Sequence, residues 1–255
     1  MSRTIIIGDV HGCIRELEDL LSYVGFRKSD RLFFVGDLVV RGPKPHDVIA
    51  LARSLNAQAV RGNHEDRLLR WRASRRSGIP FKVGSVTRRT AEALKGRDWD
   101  FIEAMPLWID LPEHGVRIVH AGVMPNIPIQ EQPPRTLMYL RSLGKNGTEP
   151  LELRGDVSWA QAYPGPDHIV FGHNAQIEPE IAPYATGIDT GVVYGNRLTA
   201  MVLMQGERPP PPEHRRRVLV SVPARRAYFV KEPRPPAPDG TPSASRPSPF
   251  LRRAS

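Results

Sequence analysis

The chain has one cysteine, Cys13, so it cannot form an internal disulfide and cannot build a soft, thiolate-rich metal site. It also lacks any long apolar run. Of its 255 residues 40% are hydrophobic, yet no stretch is long enough to span a bilayer, so no membrane role is expected. The start, MSRTIIIGD, enters a strand pattern at once, with no apolar region and cleavage site before it. No leader is expected, and the cytoplasm is the expected compartment. No internal repeat is visible. What remains is room for one sizeable core, and hence for one domain with a tail.

Charge is unevenly spread. The net charge is +9, and from Gln205 onward eleven Arg or Lys face four acids, which accounts for seven of the nine. Such an excess suits an anionic partner or simply a solvated basic surface. Nucleic acid could meet this basic tail but is not required. From Lys231 the composition turns to Pro, Ser, Ala and Arg without periodicity, so residues 231–255 are read as a disordered tail and 1–230 as the folded domain. A second cluster, Arg67, Arg70, Arg72, Arg75 and Arg76, reads most simply as a solvated helix face.

Five short polar phrases carry the chemistry: GDVHG at 8–12, GDLVVRG at 36–42, RGNHE at 61–65, VHAG at 119–122 and FGH at 171–173. Each follows a run rich in β-branched residues, which places it where a buried strand ends. Asp9, His11, Asp37, Asn63, His120 and His173 would then converge, with His64 beside Asn63. Hard oxygens mixed with imidazoles suit manganese, cobalt, iron or zinc. Two such ions about 3.5–4 Å apart need a shared carboxylate, and Asp37 is the natural bridge. A water between them would ionise near neutral pH.

The same phrases, together with SWA at 158–160, FGHN and IDTG followed by VYGNRLTAMVL, resemble the calcineurin-like metallophosphoesterases. Within them the resemblance is to the phosphoprotein phosphatase branch, which includes the symmetrical diadenosine tetraphosphate hydrolases and their ApaH-like relatives. It runs from about Arg3 to Leu203. It implies an α/β fold, a two-sheet αββα sandwich with a dinuclear site at strand ends. It also implies that Asp9, His11 and Asp37 hold one metal and Asp37, Asn63, His120 and His173 the other. His64 would be the general acid, kept cationic, and Arg41 would grip a phosphate oxygen.

Two residues bear on substrate. The phosphatases place an orienting Asp before the phosphate-gripping Arg, and here that position is Val40. A serine or threonine alkoxide needs a well-oriented acid to leave, whereas a nucleotide phosphate or phenolate needs it less. The expected substrate is therefore a dinucleoside polyphosphate, with a phosphoprotein substrate (phosphotyrosine or phosphoserine/threonine) as the alternative favoured by RGNHE. Residues 125–155, rich in Pro, Gln and Gly, are expected to overhang the site as a cap, with Arg141 and Arg154 as candidate phosphate clamps.

Helical spacing is expected over 14–24, 47–55 and 87–105, the last as one helix, with a short helical piece near 136–143. Alternating strands are expected at 187–193, 197–204, 217–222 and 226–230, the first two as a hairpin turning at Tyr194, Gly195 and Asn196, forming an antiparallel second sheet. The four prolines at 209–212 mark a loop.

Overall fold

Alternation along single strands explains the layering. In the computed structural model, which describes residues 2–230, strand β1 (Arg3–Ile7) sends Ile5 and Ile7 into one apolar cluster and Ile6 into another. Strand β2 (Arg31–Phe34) divides Phe34 and Phe33 in the same way. Both faces are apolar because both are covered. β1, β2 and β3 (Gln58–Ala59) lie parallel, joined by helices α1 (Ile14–Tyr23) and α2 (Pro45–Ser54). Three more helices follow: α3 (Asn63–Ser77), α4 (Ser85–Ala93) and α5 (Gly96–Glu103). Leu17, Leu20, Val48, Ile49, Leu68 and Ile102 of this helical layer close over Ile5, Ile7 and Phe34.

The chain then builds a second sheet. β4 (Trp108–Leu111) and β5 (Val116–Val119) form an antiparallel pair, and α6 (Pro134–Tyr139) with the small ribbon of β6 (Ser142–Leu143) and β7 (Pro150–Leu151) interrupts before α7 (Trp159–Ala162). β8 (His168–Phe171) pairs parallel with β5, and β9 (Glu180–Ile181) and β10 (Ala185–Gly187) complete the order β4-β5-β8-β10-β9. The chain finally returns to the first sheet as β11 (Arg197–Met204) and β12 (Leu219–Pro223), giving β12-β11-β1-β2-β3. Between the sheets lie Ile6, Phe33, Val60, Ile118, Val170 and Met201, and Trp159, Leu137, Ile169 and Phe171 pack on the outer face of the second sheet. The architecture is a mixed α/β sandwich of two sheets with helices outside.

Several sequence expectations change. The helix expected over 87–105 is two helices, because Leu94 is extended (ψ 138°) and the Asp98 carboxylate accepts the Lys95 N–H at 2.8 Å, starting α5 afresh. The expected hairpin is not one. β10 belongs to the second sheet and β11 to the first, and a short 3-10 turn, Val192–Tyr194, carries the chain across. Alternation reveals a strand but not its partner. The C-terminal strands therefore extend the first sheet instead of forming the second. Residues 226–230 form no strand; Tyr228 and Phe229 instead give their N–H groups to the Val193 carbonyl at 2.9 and 3.0 Å. After the prolines comes a 3-10 helix, Pro212–Val218. The tail expected at 231–255 lies outside the described residues.

Arg215, only 1% exposed, fastens that 3-10 helix to the second sheet. Its guanidinium donates to Thr186 Oγ1 at 2.6 Å, to His168 Nε2 at 2.7 Å and to the Pro183 carbonyl at 3.3 Å. Burial and the facing guanidinium push His168 down to about 3, so its ring is neutral and accepts. Arg215→Ala would strand these acceptors, at a cost of about 2–4 kcal/mol. The urea midpoint of the variant should fall accordingly; a midpoint within error of the parent would show that this bridge does not hold the sheets together.

Candidate dinuclear metal centre

The five polar phrases leave the carboxyl ends of β1, β2, β3, β5 and β8 on the same edge of the sandwich. Backbone bonds lock their loops together. Val10 and His11 N–H groups both bond the Asp37 carbonyl, at 3.2 and 2.8 Å, and Gly172 N–H bonds the His120 carbonyl at 2.8 Å. The turns are tight enough that the functional residues themselves take left-handed angles: His11 (φ 49°), Asp37 (51°), Val40 (67°), Arg41 (71°) and His173 (66°). For a β-branched residue such as Val40 that is an outlier, and each such residue costs about 1–3 kcal/mol. Two glycines allow the close approach. A Cβ on Gly62 would lie 2.2 Å from Asp37 Oδ1, and one on Gly172 would lie 1.9 Å from Asp9 Oδ1.

The histidines are oriented from behind. His11 Nδ1 donates to the Val39 carbonyl at 3.0 Å and His120 Nδ1 to the Val35 carbonyl at 2.8 Å, which leaves each Nε2 with its lone pair toward the site. His120 Nε2 and His173 Nδ1 lie 3.1 and 2.9 Å from Asn63 Oδ1. With its proton on Nδ1, His120 presents a lone pair to an amide oxygen. That arrangement is repulsive unless a cation lies between, and two atoms each about 2.1 Å from one ion stand about 3 Å apart at right angles. His173 Nε2 and both ring nitrogens of His64 are buried without a hydrogen-bond partner. His11, Asp37 and His64 form one triad of close donor atoms, and Asp37, His120 and His173 form another. Asp37 is common to both. Asp9 belongs to neither triad; its carboxylate accepts the His173 N–H at 3.2 Å. The donor set fits hard or borderline divalent cations.

Two acids complete the centre that the motif reading did not assign. Glu65, fully buried, accepts N–H bonds from Asp37 (2.9 Å), Leu38 (2.9 Å), Val39 (3.3 Å) and Gly62 (3.0 Å), and so holds the turn that carries Asp37. Asp189, 7% exposed, follows β10 and lines the same cavity as Asp37 and Asn63. Its signal was present in IDTG, another polar residue at the end of an apolar strand. Burial is the main cause that raises all four carboxyls: Asp37 and Glu65 to about 7, Asp9 well above its ordinary value, and Asp189 upward. Without cations the pocket is too acidic to stay fully ionised.

Arginines face the acids. Arg41 NH1 lies 2.8 Å from His11 Nε2, the lone pair a cation would take. Arg141 donates to the His173 carbonyl and Asn174 Oδ1, both at 3.2 Å, and Arg154 donates to Asn174 Oδ1 at 3.0 Å. All three line a cavity of about 240 Å³ with Asp37, Asn63 and His173. Arg135, by contrast, is paired with Glu152. Along α3, Arg70 stacks on Phe81 and Arg72 pairs with Glu103, as a surface role requires. His64 differs from expectation: burial, then Arg41, push it well below its ordinary value, so it rests neutral, not cationic. Val40 is buried in the helix-side core, and the nearest carboxylate oxygen to His64 Nε2 is Asp37 Oδ2 at 3.9 Å.

Stacked sheets with this acid, imidazole and arginine cluster at their strand ends define a class, the metal-dependent phosphoesterases. The chain belongs to the calcineurin-like phosphoesterase family, whose model matches residues 2–180. It is 33% identical over 218 residues to the asymmetrical bis(5'-nucleosyl)-tetraphosphatase PrpE of Oceanobacillus iheyensis, covering 76% of this chain and 86% of that one. It is 31% identical over 220 residues to the protein of the same name in Bacillus cereus strain 03BB102, covering 77% and 88%. A crystal structure of a provisionally assigned diadenosine tetraphosphatase matches at 33% identity with a TM-score of 0.74, covering 87% of this chain and 93% of that one. A Saccharomyces cerevisiae serine/threonine phosphatase, at 15% identity and a TM-score of 0.54, shares the fold over 91% of this chain and 81% of its own. The comparisons lend no support to a nucleic-acid partner. Among the described residues no helix is long and apolar enough to cross a membrane.

A carboxyl that keeps its proton when folded and loses it when unfolded makes stability fall as pH rises from the unfolded to the folded value. For Asp37 and Glu65 that window runs from their ordinary 3.8 and 4.5 up to about 7. Buried His64, His120, His168 and His173, held below their ordinary values, act in the opposite sense, so the acids are best read through metal binding: added Mn2+ should raise Tm more at about pH 8 than at about pH 5, because the carboxyls must lose their protons to take it. Asp37→Asn should remove most of the metal-induced rise. A metal-induced rise as large at about pH 5 as at about pH 8, or one that survives Asp37→Asn, contradicts the assignment.

Proposed function

We propose that the chain hydrolyses a phosphoanhydride bond of dinucleoside polyphosphates, diadenosine tetraphosphate among them, and cuts asymmetrically to leave a mononucleotide. The observation that carries this is the pairing of three arginines around one acidic cavity with an acid, His64, that no protein carboxylate orients at hydrogen-bond distance. Several phosphates offer a binding partner to each arginine, and a nucleotide phosphate leaves without strong protonation. The names of the relatives point the same way, including the word asymmetrical, where the motif resemblance was to the symmetrical hydrolases.

In this reading Asp9, His11 and Asp37 would hold one divalent ion and Asp37, Asn63, His120 and His173 the other. When bound, the two ions, for which Mn2+ is our first choice over Co2+, Fe or Zn2+, supply an acidic water and neutralise phosphoryl charge. Glu65 fixes Asp37, and the histidine carbonyl partners fix the rings. Arg41 turns from His11 to the phosphoryl oxygens, and Arg141 and Arg154 hold the rest of the phosphate chain. The segment 125–155 acts as a cap, bringing Arg141 and Arg154 over the cavity. An anionic substrate beside His64 offsets the burial that keeps it neutral, so that Nε2 can carry a proton to the leaving oxygen. A cytoplasmic location belongs to the same proposal, since a chain with only Cys13 gains nothing from an oxidising compartment.

Product analysis with Mn2+ should show diadenosine tetraphosphate converted to ATP and AMP in equal amounts, with phosphoserine peptides turned over at least about tenfold more slowly in kcat/KM, as loss of an oriented acid dictates. Two ADP would replace the asymmetrical reading with the symmetrical one. Equal or faster hydrolysis of the phosphopeptide would overturn the substrate assignment in favour of a protein phosphatase.

A further inference from the structure

A second hollow of about 900 Å³ opens beside the metal cavity and shares Arg154, Ala175 and Tyr194 with it. Its walls are more apolar than those of the first: Ile177, Pro179, Phe229 and Val230 line it together with Gln176 and Asn196, and Ile177 and Val230 are 75% and 78% exposed. Phe229 is not a loose ring. The Tyr228 and Phe229 N–H groups bond Val193, the Tyr228 hydroxyl donates to Glu16 Oε1 at 2.8 Å, and the Arg225 N–H donates to the same oxygen at 3.0 Å. Arg225 also pairs with Asp19 at 2.8 Å, so the segment is pinned along α1. The Phe229 and Tyr194 rings stand 6.3 Å apart, and the Arg41 guanidinium lies 5.8 and 5.7 Å from their centroids. The one acid in the hollow, Glu178, is neutralised by Arg216 at 2.9 Å and Arg197 at 3.5 Å.

We propose that this hollow is a nucleobase subsite, in which the base of the bound nucleotide lies against Phe229 and Ile177 while its phosphates run past Arg154 to Arg41. This rests on the reading of the substrate as a dinucleoside polyphosphate, and adds to it where a base goes and what reads it. A flat, uncharged group tethered to phosphates fits, because the hollow offers ring and aliphatic faces and shares Arg154 with the arginine-lined metal cavity. Stacking on an aromatic face is tolerant of base identity, since every base has a π-face. Adenine and guanine should therefore be accepted about equally.

Calorimetric titration of the full chain tests this apart from turnover. AMP should bind at least about tenfold more tightly than ribose 5-phosphate, the size of effect expected for one stacked base, and GMP should match AMP within a few-fold. Phe229→Leu, which keeps the packing and removes the aromatic face, should erase most of that margin, and Ile177→Ala, at an exposed position, should narrow it without touching the fold. Binding of ribose 5-phosphate should be unchanged in both. Equal affinity of the parent for AMP and ribose 5-phosphate, or a margin that survives both substitutions, overturns the subsite. The ATP and AMP assay judges the substrate reading on its own, so failure of one is distinguishable from failure of the other.

Discussion

Four carboxyls buried in one pocket are the constraint around which this molecule is arranged. Asp9, Asp37, Glu65 and Asp189 are each at most 7% exposed. Removing a charge from water costs several kcal/mol per ion, and like charges at close range add to that. Protein groups answer only part of it. Glu65 is answered by four backbone N–H groups, and Asp37 by Arg41 and the His64 N–H. The remainder is answered by protons when the pocket is empty and by divalent cations when it is filled. The facing lone pairs of His120 Nε2 and Asn63 Oδ1, and the unpartnered nitrogens of His64 and His173, express the same deficit in neutral atoms.

The fold meets this constraint by spending backbone strain. Five functional positions hold left-handed angles, and the loops that carry them are tied to one another rather than to solvent. Such strain persists only where the surroundings over-determine it. Here the surroundings are two sheets whose both faces are covered, so that the strand ends cannot drift. Gly62 and Gly172 are empty of side chain because carboxylate oxygens occupy the space.

Much of this was legible in the chain. The runs TIII, RLFF, VRIV and HIVF are apolar at all but one position each, close to what a strand buried on both faces requires, so β1, β2, β5 and β8 could be placed and the polar phrases located at their ends. What could not be read was partnership. The alternation at 197–204 marks β11 as a strand but says nothing of whether it lies against β1 or β10, since the pairing depends on contacts nearly two hundred residues apart. Glu65 was hidden for a similar reason: three of the four backbone N–H groups it holds belong to another loop, and that has no signature in the sequence around it. Asp189 had one, a polar residue closing an apolar strand. The neutral state of His64 follows from burial beside Arg41, which only the packed structure reveals.

The second hollow suggests how a common metal centre acquires a particular substrate. Its aromatic wall comes from the segment at 224–230, held on α1 by Glu16 and Asp19, far in sequence from the metal phrases. Chemistry and specificity are thus carried by different parts of the chain that meet at Arg41 and Tyr194. All of it presupposes that the acids gather cations. The most direct test is anomalous diffraction from crystals grown with Mn2+: two peaks about 3.5–4 Å apart with the Asp37 carboxylate between them are predicted, and a single peak, or a pair that Asp37 does not touch, would contradict the account.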